Sequence, residues 1–505
     1  MVSWANLRRR AGGTGGRGRL FSTETMKVFL INEPYVPYFN RTQRWAARTR
    51  GRVIRAPDWL AYATAVLEGA GIGARLFDFP ANGWDKGELR RLVATEKPDF
   101  VVLDSTTPSI YSDLECARIC KECGGATVIM VGPHASALPE ETLELAEGAV
   151  DVICVGEYDY TVLEVVSGFP RLGEVKGICY LENGRGRRTA ARPLIQDLDA
   201  LPFPAWHHLN LKQYFDGTKL YPYIDIFSGR GCPHGCVFCL WPQVMHGRKV
   251  RLRSPRNVVD EMERDIIQCP EVQRHGEFFF EDDTFTLAKN NAMAICEEIL
   301  RRDLGVTFSV NARVDTADLE LFALLKRAGC RELLVGFESG DQGMLDRMGK
   351  RASLEEARGF MALARGAGLE VHGCFVLGLP GETPATLKRT VDFALDLGLT
   401  TVQFAAAVPF PGTEYFSWCR EAGLLTTNRW DSWLADGEQT SVVDYPGLSL
   451  KSIQEAVDGG LKRFYFRPAF MLKFLLKNRD RWDLYRKLRG AWSFLSYLWT
   501  SRRGS

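Results

Sequence analysis

Several features are scarce in this 505-residue sequence, and each scarcity excludes a class of protein. No stretch reaches about 18 uninterrupted apolar residues, so we expect no membrane-spanning helix. The 64 Lys and Arg nearly balance the 62 Asp and Glu, and a net charge of +2 argues against a surface built to bind nucleic acid. Thirteen cysteines are too few for a disulfide scaffold, and their odd number leaves at least one unpaired. We therefore expect a reducing, cytoplasmic setting, in which clustered thiols serve metal or redox chemistry.

The composition is that of an ordinary globular protein, with 46% apolar and 25% charged residues. Residues 1–25 are rich in arginine and contain the run GGTGGRGR, so we expect a disordered tail there. This segment lacks the apolar core of a secretory signal. Met26 opens directly onto a predicted strand, and the sequence does not decide whether Met1 or Met26 is the true start.

Residues 26–165 alternate short apolar runs with amphipathic stretches. The runs lie at residues 27–34, 74–80, 99–106, 126–132 and 150–157. Near-continuous apolar strands separated by helices are typical of a parallel sheet covered on both faces. We predict a doubly wound, Rossmann-like α/β domain that binds its ligand beyond the carboxyl ends of the strands. No G-x-G-x-x-G follows the first strand, which argues against a nicotinamide or flavin dinucleotide.

The rest of the chain divides into three further regions. Residues 166–215, rich in Pro, Arg and Leu, are predicted to be a linker. Residues 216–430 contain six apolar runs separated by helical stretches, which predicts a partial (β/α)6 barrel with chemistry where the strands end. Residues 431–505 are predicted to be a helical, basic C-terminal region. The fold class is therefore α/β throughout, with this helical end.

The most informative motif follows the first barrel strand. Cys232, Cys236 and Cys239 have the spacing C-x3-C-x2-C, with Phe238 before the last cysteine. Three thiolates on such a loop can bind one side of a cubane [4Fe-4S] cluster, which normally takes four cysteine ligands. One iron then stays open to bind a substrate or cofactor and to pass it an electron. The alternative is three incidental cysteines.

The same spacing recurs in Cys116, Cys120 and Cys123, within a predicted helix. Positions i, i+4 and i+7 lie on one helix face but spread over about 10 Å of its axis, at 1.5 Å per residue. Parallel side chains so far apart converge poorly on one cluster. Because cysteine also packs well as a small apolar residue, we expect a buried helix face here.

Four further motifs follow successive barrel strands, one motif to each. They are Asp282 and Asp283 in EDDTF, Asn311 and Arg313, Glu338 in GFESG, and Gly378 and Gly381 in GLPGET. Each has a structural alternative. The two aspartates would suit a helix N-cap, and the glycines a strand-to-helix turn. Glu338 in a buried strand is costly unless it is paired.

Taken together with the cysteine triad, these motifs resemble those of radical S-adenosylmethionine (SAM) enzymes that carry an N-terminal cobalamin-binding domain. The resemblance covers about residues 26–470. It implies a [4Fe-4S] cluster on Cys232, Cys236 and Cys239, with Phe238 in the customary aromatic place and SAM chelated to the open iron. It also implies further SAM contacts. Asp282 and Asp283 would lie near the amino group, Asn311, Arg313 and Glu338 near ribose or carboxylate, and Gly378 and Gly381 near adenine.

The resemblance implies a cobalamin site in the first domain. Ser105 and Thr106 in STTP, and Gly132 and His134 in VGPHAS, match the loops that face the corrin or its nucleotide tail. Families with a lower histidine ligand use Asp-x-His-x-x-Gly after the first strand, whereas this chain has Asn-Glu-Pro at 32–34. The lower face of the cobalt is therefore not assigned. We favour a structural loop role for His134 over cobalt ligation.

Within this family, CLWPQ (239–243) and RFYFRP (463–468) resemble the hopanoid-biosynthesis branch. The resemblance implies an enzyme that cleaves SAM reductively to a 5′-deoxyadenosyl radical. It would methylate an unactivated carbon, or rearrange a carbon skeleton, of a lipid-linked or isoprenoid substrate such as a hopanoid. One alternative is a natural-product C-methyltransferase, and another is a non-catalytic cobalamin and iron–sulfur sensor or carrier. A one-electron donor such as flavodoxin or ferredoxin is the expected partner.

The C-terminus adds an independent indication. Residues 461–505 contain twelve Lys and Arg against two acids, a local charge of +10, interleaved with aromatic residues. Basic helices bearing Trp, Phe and Leu favour an anionic membrane interface. The alternative is a helix packed on the barrel with a solvated basic face. We expect a cytoplasmic protein with peripheral contact at the inner membrane face and no nucleic-acid partner.

Overall fold

The computed structural model describes residues 26–42, 46–435, 438–476 and 478–501. The tail predicted over residues 1–25 lies outside these ranges. Two large sheets dominate the fold, and a small four-stranded sheet joins segments from opposite ends of the chain. The site residues predicted from the sequence divide between the two large sheets.

The strands of the described residues are numbered in chain order. They are β1 (Lys27–Asn32), β2 (Phe39–Asn40), β3 (Ala47–Arg48), β4 (Gly73–Asp78), β5 (Phe100–Asp104), β6 (Thr127–Val131), β7 (Val152–Cys154), β8 (Ile178–Glu182), β9 (Arg185–Arg188), β10 (Tyr223–Ile226), β11 (Gly229–Arg230), β12 (Arg251–Leu252), β13 (Glu277–Phe280), β14 (Phe308–Ala312), β15 (Cys330–Glu338), β16 (Glu370–Leu377), β17 (Thr401–Ala406), β18 (Leu434–Ala435) and β19 (Glu438–Gln439).

The α-helices of the same residues are numbered likewise. They are α1 (Asp58–Gly69), α2 (Phe79–Asn82), α3 (Lys86–Glu96), α4 (Ile110–Gly124), α5 (Pro133–Ala137), α6 (Pro139–Ala146), α7 (Asp159–Gly168), α8 (Leu240–Val244), α9 (Pro255–Gln268), α10 (Pro270–Arg274), α11 (Lys289–Arg301), α12 (Leu319–Ala328), α13 (Gln342–Arg347), α14 (Leu354–Gly366), α15 (Pro384–Asp396), α16 (Glu414–Glu421), α17 (Leu450–Tyr465), α18 (Pro468–Leu476) and α19 (Arg481–Ser501).

The first large sheet has the order β4-β1-β5-β6-β7-β8-β9. Its first five strands are parallel and alternate with helices, which confirms the doubly wound α/β domain. Strands β8 and β9 add an antiparallel hairpin at the β7 edge, so the prediction that residues 166–215 are only a linker is wrong. Little in the sequence indicates this hairpin, because Arg185–Arg188 is exposed and has no apolar alternation.

The second large sheet is the partial barrel, with six parallel strands in the order β10-β13-β14-β15-β16-β17. Helices α9, α11, α12, α14 and α15 separate these strands along the chain, as the apolar runs predicted. Local signals fix where two of the helices begin. Capping boxes at Ser353 and Thr383 satisfy the first amides of α14 and α15. Because strand order follows chain order, the carboxyl ends of successive strands lie side by side.

A small sheet with the order β18-β19-β3-β2 connects the two ends of the chain. It pairs residues near 39–48 with residues near 434–439. The prediction that the region 431–505 is helical is therefore wrong for its first residues. Strands of two residues carry no periodicity that a sequence could reveal. Their pairing brings the C-terminal part of the chain over the first domain.

Buried ion pairs join the two large sheets. Arg230, next to the cysteine loop, donates to Asp159 of α7 at 2.8 and 3.1 Å. Arg251 donates to Glu157 at 2.6 and 2.8 Å. Both acids follow the carboxyl end of β7, and both arginines flank the loop at the carboxyl end of β10. The carboxyl edges of the two sheets therefore face each other.

Candidate functional site

The cysteine loop is a buried, well-anchored turn between β11 and α8. Cys232 and Cys236 are 9% and 8% exposed, and Cys239 is half-buried. The Cys232 amide donates to the Gly247 carbonyl at 3.3 Å, and the Cys239 amide to the Cys236 carbonyl at 3.2 Å. Gln243 Nε2 donates to the Cys239 carbonyl at 2.7 Å. Contacts to backbone carbonyls thus hold the loop in place.

The donor set of this loop fits a [4Fe-4S] cluster. In the described residues, the Sγ atoms of Cys232, Cys236 and Cys239 do not all lie within 4.8 Å of one another, as the ligands of a single metal ion do. A cubane cluster instead binds each thiolate to a different iron, so its ligands stand apart. Cys419 belongs to the same apolar cluster as Cys236. Burial raises the pKa of Cys419 to about 12, which favours its thiol form over a fourth thiolate ligand.

The second cysteine triad does not form a site. It lies on α4, where Cys116 and Cys120 are fully buried in the core of the first domain. Burial raises the pKa of both thiols well above the ordinary value, which disfavours the thiolate that ligation requires. Cys123 is half-buried, and its sulfur accepts from Arg90 at 3.2 Å. The prediction of a packed helix face is confirmed.

Arg313 lies at the end of β14, directly beside the cysteine loop. Its Nη1 atom is 3.9 Å from the sulfur of Cys236. Burial disfavours the guanidinium charge, but Asp315, with smaller contributions from Cys236 and Cys232, raises the Arg313 pKa above its ordinary value. Its Nη2 atom also donates to the Lys350 carbonyl at 2.7 Å. A positive charge therefore stands next to the sulfur of Cys236.

Asp282 connects three strand ends. Its carboxylate accepts from the Ser228 amide at 2.9 Å and from the Ser228 hydroxyl at 2.6 Å. Its carbonyl accepts from Asn311 Nδ2 at 2.9 Å. Burial raises the pKa of Asp282 to about 7. Asp283 Oδ2 lies 3.2 Å from His246 Nδ1, and neither aspartate caps a helix, so the N-cap alternative is excluded.

Glu338 ends β15 in a strained conformation. Its φ of 65° lies in the left-handed region, which is uncommon outside glycine and is often found at functional sites. Its carboxylate pairs with Lys350 Nζ at 2.8 Å, so this buried charge is compensated. A Cβ at Gly336 would lie 2.2 Å from Glu338 Oε1, so a side chain there would require the pair to shift.

The glycine motif after β16 forms a tight turn. Gly378 and Gly381 have φ values of 91° and 88°. The carboxylate of Glu382 accepts from the amides of Gly378 and Leu379, and burial raises its pKa to about 7. Neither Glu382 nor Lys350 was predicted from the sequence as a site residue. An acid directly after G-x-x-G could have indicated Glu382, whereas nothing in the sequence links Lys350 to Glu338.

In the first domain, the predicted loops after β5 and β6 form one contiguous surface. Ser105 Oγ donates to the Val131 carbonyl at 2.6 Å and accepts from the Ala135 amide at 3.1 Å. A Cβ on Gly132 would lie 2.2 Å from Asp104 Oδ1, so the loops approach closely. Thr106 Oγ1 lies 2.6 Å from Ser109 Oγ. The strand ends thus present hydroxyl and backbone groups together.

His134 is 1% exposed, and its Nδ1 atom lies 3.1 Å from Thr107 Oγ1. The centre of its ring is 5.3 Å from that of Trp430, a residue from the C-terminal part of the chain. Burial lowers the pKa of His134 to about 3, so the imidazole is neutral. This packing supports the structural role expected for His134.

Orphaned polar atoms mark the same edge of the first sheet. Glu33 occupies the place where other families have the lower-ligand motif, and it is fully buried. Neither of its carboxylate oxygens has a hydrogen-bond partner, although Arg41 Nε lies 3.6 Å away. His134 Nε2 is also unpartnered. Unsatisfied buried acceptors at the carboxyl ends of strands fit a ligand with amide donors, such as the corrin of cobalamin.

Comparisons with known families agree with this geometry. Residues 226–394 match the family described as the Radical SAM superfamily, and residues 55–166 match the B12 binding domain. The two matched segments cover most of the barrel and four of the five parallel strands of the first sheet. Fold and site together define the class of radical SAM enzymes with an added cobalamin-binding domain.

Relatives that span most of the chain identify the family. The chain is 29% identical over 478 residues to an uncharacterized methyltransferase from Pyrococcus horikoshii, covering 92% of this chain and 98% of that one. It is 30% identical over 432 residues to an anaerobic magnesium-protoporphyrin IX monomethyl ester cyclase from Cereibacter sphaeroides, covering 82% and 67%. It is 27% identical over 411 residues to a hopanoid C-3 methylase from Methylococcus capsulatus, covering 80% and 74%.

A solved structure shows the same fold. The methyltransferase TsrM from Kitasatospora setae, with cobalamin and a [4Fe-4S] cluster bound, superposes with a TM-score of 0.69 at 18% identity, covering 95% of this chain and 100% of that one. The chain belongs to the family of cobalamin-dependent radical SAM enzymes. It is therefore an enzyme that uses a [4Fe-4S] cluster, SAM and cobalamin, and the non-catalytic sensor alternative is set aside.

Proposed function

We propose that this enzyme methylates or rearranges an unactivated carbon of a lipid-linked or isoprenoid substrate, for example a hopanoid, at a membrane surface. The bound cofactors supply the reductive cleavage of SAM and a transferable methyl group. The hopanoid C-3 methylase relative supports an isoprenoid substrate. The observation that carries the proposal is an apolar stripe exposed on the C-terminal helix.

This stripe runs the length of α19. Its members are exposed large apolar side chains spaced three or four residues apart, namely Leu484, Leu488, Trp492, Leu495 and Trp499. Trp492 is 74% exposed and Trp499 is 66% exposed. Residues at this spacing lie on one helix face. Exposed Leu472 and Leu476 of α18 add further apolar surface nearby in the chain.

The opposite face of α19 packs on the barrel. Asp483, Arg486 and Tyr497 are buried there, and Arg486 donates to the Gly217 carbonyl at 2.8 Å. The ring of Trp482 stacks on His275 at 5.0 Å. One face of the helix thus packs on the barrel, which agrees with one of the two alternatives predicted from the sequence. The outward face, however, is apolar rather than a solvated basic surface.

Charge favours an anionic lipid surface as the partner of this stripe. Arg479 and Arg481 are exposed at the start of α19, within a region of net charge +10. Each basic residue near an anionic bilayer contributes about 1 kcal/mol, and exposed Trp and Leu insert at the interface. No helix in the described ranges is long and apolar enough to cross a bilayer. We therefore propose peripheral attachment at the inner membrane face.

Within the site, we propose that Cys232, Cys236 and Cys239 hold the cluster and that Phe238 packs beside it. Asp282, Asp283, Asn311, Arg313, Glu338, Gly378 and Gly381 would line the SAM site. Ser105, Thr106, Gly132 and His134 would support cobalamin. The facing carboxyl edges of the two sheets enclose the space between these groups, which excludes water and holds the target carbon. A small flavodoxin or ferredoxin would deliver the electron.

The proposal is tested with anaerobically reconstituted enzyme and hopanoid-containing liposomes. We expect formation of 5′-deoxyadenosine to rise when the lipid is present. With SAM labelled on its methyl group, a labelled lipid product indicates methylation, whereas an unlabelled isomer indicates rearrangement. Stimulation by water-soluble natural products but by no lipid would contradict the lipid proposal and favour the natural-product alternative.

A further inference from the structure

Glu68, His207 and His208 form a cluster of metal-ligating side chains away from the cysteine loop. Glu68 Oε1 lies 3.0 Å from His207 Nε2 and 2.8 Å from His208 Nε2. The three ligand atoms all lie within 4.8 Å of one another, the sole trio of this kind in the described ranges. None of the three residues belongs to the proposed cluster, SAM or cobalamin sites.

The two histidines converge although they are neighbours in the chain. They lie on a 3-10 turn, Trp206–His208, and their rings are 4.3 Å apart at 40°. A single imidazole N–H suffices to pair one carboxylate oxygen. Here the Nε2 atoms of both histidines point at the same oxygen, Glu68 Oε1, so the three ligand atoms converge on one place.

Both supporting segments are rigid. Glu68 lies in the last turn of α1, and Leu67 beside it is fully buried. The 3-10 turn is held by Trp206, which is 1% exposed, and by the Ala205 amide, which donates to the Ala61 carbonyl at 3.1 Å. Binding an ion here would therefore order few additional groups, which favours affinity.

We propose that Glu68, His207 and His208 bind a divalent transition-metal ion, with zinc as the best match to two imidazoles and a carboxylate. Zinc binds histidine nitrogen at about 2.0–2.1 Å and carboxylate oxygen at about 2.0–2.2 Å, so tetrahedral ligand atoms lie roughly 3.3 Å apart. The present separations of 2.8 and 3.0 Å need to open by only a few tenths of an ångström. Each neutral imidazole would bind the ion through an unprotonated Nε2 and carry its single N–H proton on Nδ1.

The surroundings allow this adjustment and leave one coordination position open. The side chain of His207 is 51% exposed and that of Glu68 is 32% exposed, so both can shift without repacking the core. The fourth position faces solvent and takes water. The bound ion would clip the end of α1 to the segment that leads into the barrel. Because that clip does not involve the cofactors, this inference stands apart from the proposed function.

The test uses the full-length, tag-free protein with its cluster already loaded. Zinc alone is titrated, and bound zinc and iron are counted after desalting. We expect the wild type to hold one more zinc ion per chain than Glu68→Gln, His207→Gln or His208→Gln, with at least a tenfold loss of affinity in each variant. Glu164→Gln, which removes an exposed carboxylate on α7, is the matched control and should bind zinc like the wild type. Iron content and SAM cleavage should be the same in all of these proteins.

A second readout on the wild type does not depend on the variants. Zinc should protect His207 and His208 from modification by diethyl pyrocarbonate and should raise the thermal unfolding midpoint. Equal zinc stoichiometry and affinity in the wild type and the three variants, or unprotected histidines at saturating zinc, would overturn the proposal. Failure of SAM cleavage with normal zinc binding would instead count against the proposed function alone.

Discussion

The Nη1 atom of Arg313 lies 3.9 Å from the sulfur of Cys236. This contact joins the end of β14 to the cysteine loop after β11, two segments 77 residues apart. The Asp315 carboxylate accepts hydrogen bonds from Nε and Nη2 of the same guanidinium, each at 2.9 Å, which fixes the orientation of the Arg313 side chain. The barrel thus places a permanent positive charge beside a thiolate ligand of the proposed cluster.

Removing that charge should make the reduced state of the cluster less stable. We expect Arg313→Ala to shift the cluster's reduction potential to a more negative value and to slow SAM cleavage about 10- to 100-fold, as expected for a charged contact of ~1.5–3 kcal/mol. Arg313→Lys keeps the charge and should recover part of both properties. A redox titration followed by electron paramagnetic resonance measures the potential. An unchanged potential in Arg313→Ala would show that the charge does not act on the cluster.

The two cysteine triads should respond differently to substitution. Cys236→Ala is expected to lose SAM cleavage and most cluster iron, because it removes a ligand. Cys120→Ala should leave both nearly intact and reduce stability by about 1 kcal/mol, since it only removes a small buried group. Iron analysis and 5′-deoxyadenosine assays measure these outcomes. Loss of half the iron in Cys120→Ala would indicate a second cluster on α4.

His134 should make the first domain acid-sensitive. Burial lowers its pKa from 6.5 to about 3, so between these values the unfolded chain binds a proton that the folded chain does not. This contribution to stability is complete above pH 6.5 and is lost as the pH falls toward 3, by up to about 1.4 kcal/mol per pH unit. His134→Asn, which can keep the contact with Thr107, should show a shallower loss. Urea unfolding at several pH values measures the difference, and parallel curves for both proteins would contradict it.

The apolar stripe of α19 should carry membrane binding. We expect Leu488→Ser/Trp492→Ser to lower the affinity for anionic liposomes at least tenfold, because burying such side chains is worth about 1.5–3 kcal/mol each. Trp84→Ser removes an exposed tryptophan from the first domain and is the matched control. Truncation after Pro468 should also abolish co-sedimentation, although it removes the packed face of α19 as well. Unchanged sedimentation of the double variant would leave α19 with a packing role only.

Much of the fold could be predicted because its signals are local. Phe278, Phe279 and Phe280 form a buried run that predicts a barrel strand without any knowledge of its neighbours. The cysteine loop could be predicted equally well, since its three cysteines lie within eight residues. The hairpin of β8 and β9 was not predicted, because the exposed arginines of β9 lack the apolar alternation that is typical of a strand.

The parts that could not be predicted depend on contacts that no sequence pattern indicates. Lys350 compensates Glu338, and Trp430 covers His134, yet no spacing in the sequence connects either pair. The small sheet pairs residues almost 400 positions apart through strands of only two residues. The zinc-type trio likewise joins residues 139 and 140 positions apart.

The central claim is that three cysteines leave one iron of the cluster open to SAM. The most direct measurement is electron paramagnetic resonance of the reduced, reconstituted enzyme with SAM labelled on its amino nitrogen and carboxylate oxygen. We predict that SAM changes the cluster spectrum and that both labels couple to the cluster, followed by release of 5′-deoxyadenosine. A spectrum unaffected by SAM, or a fourth protein ligand on the open iron in the active state, would contradict the account.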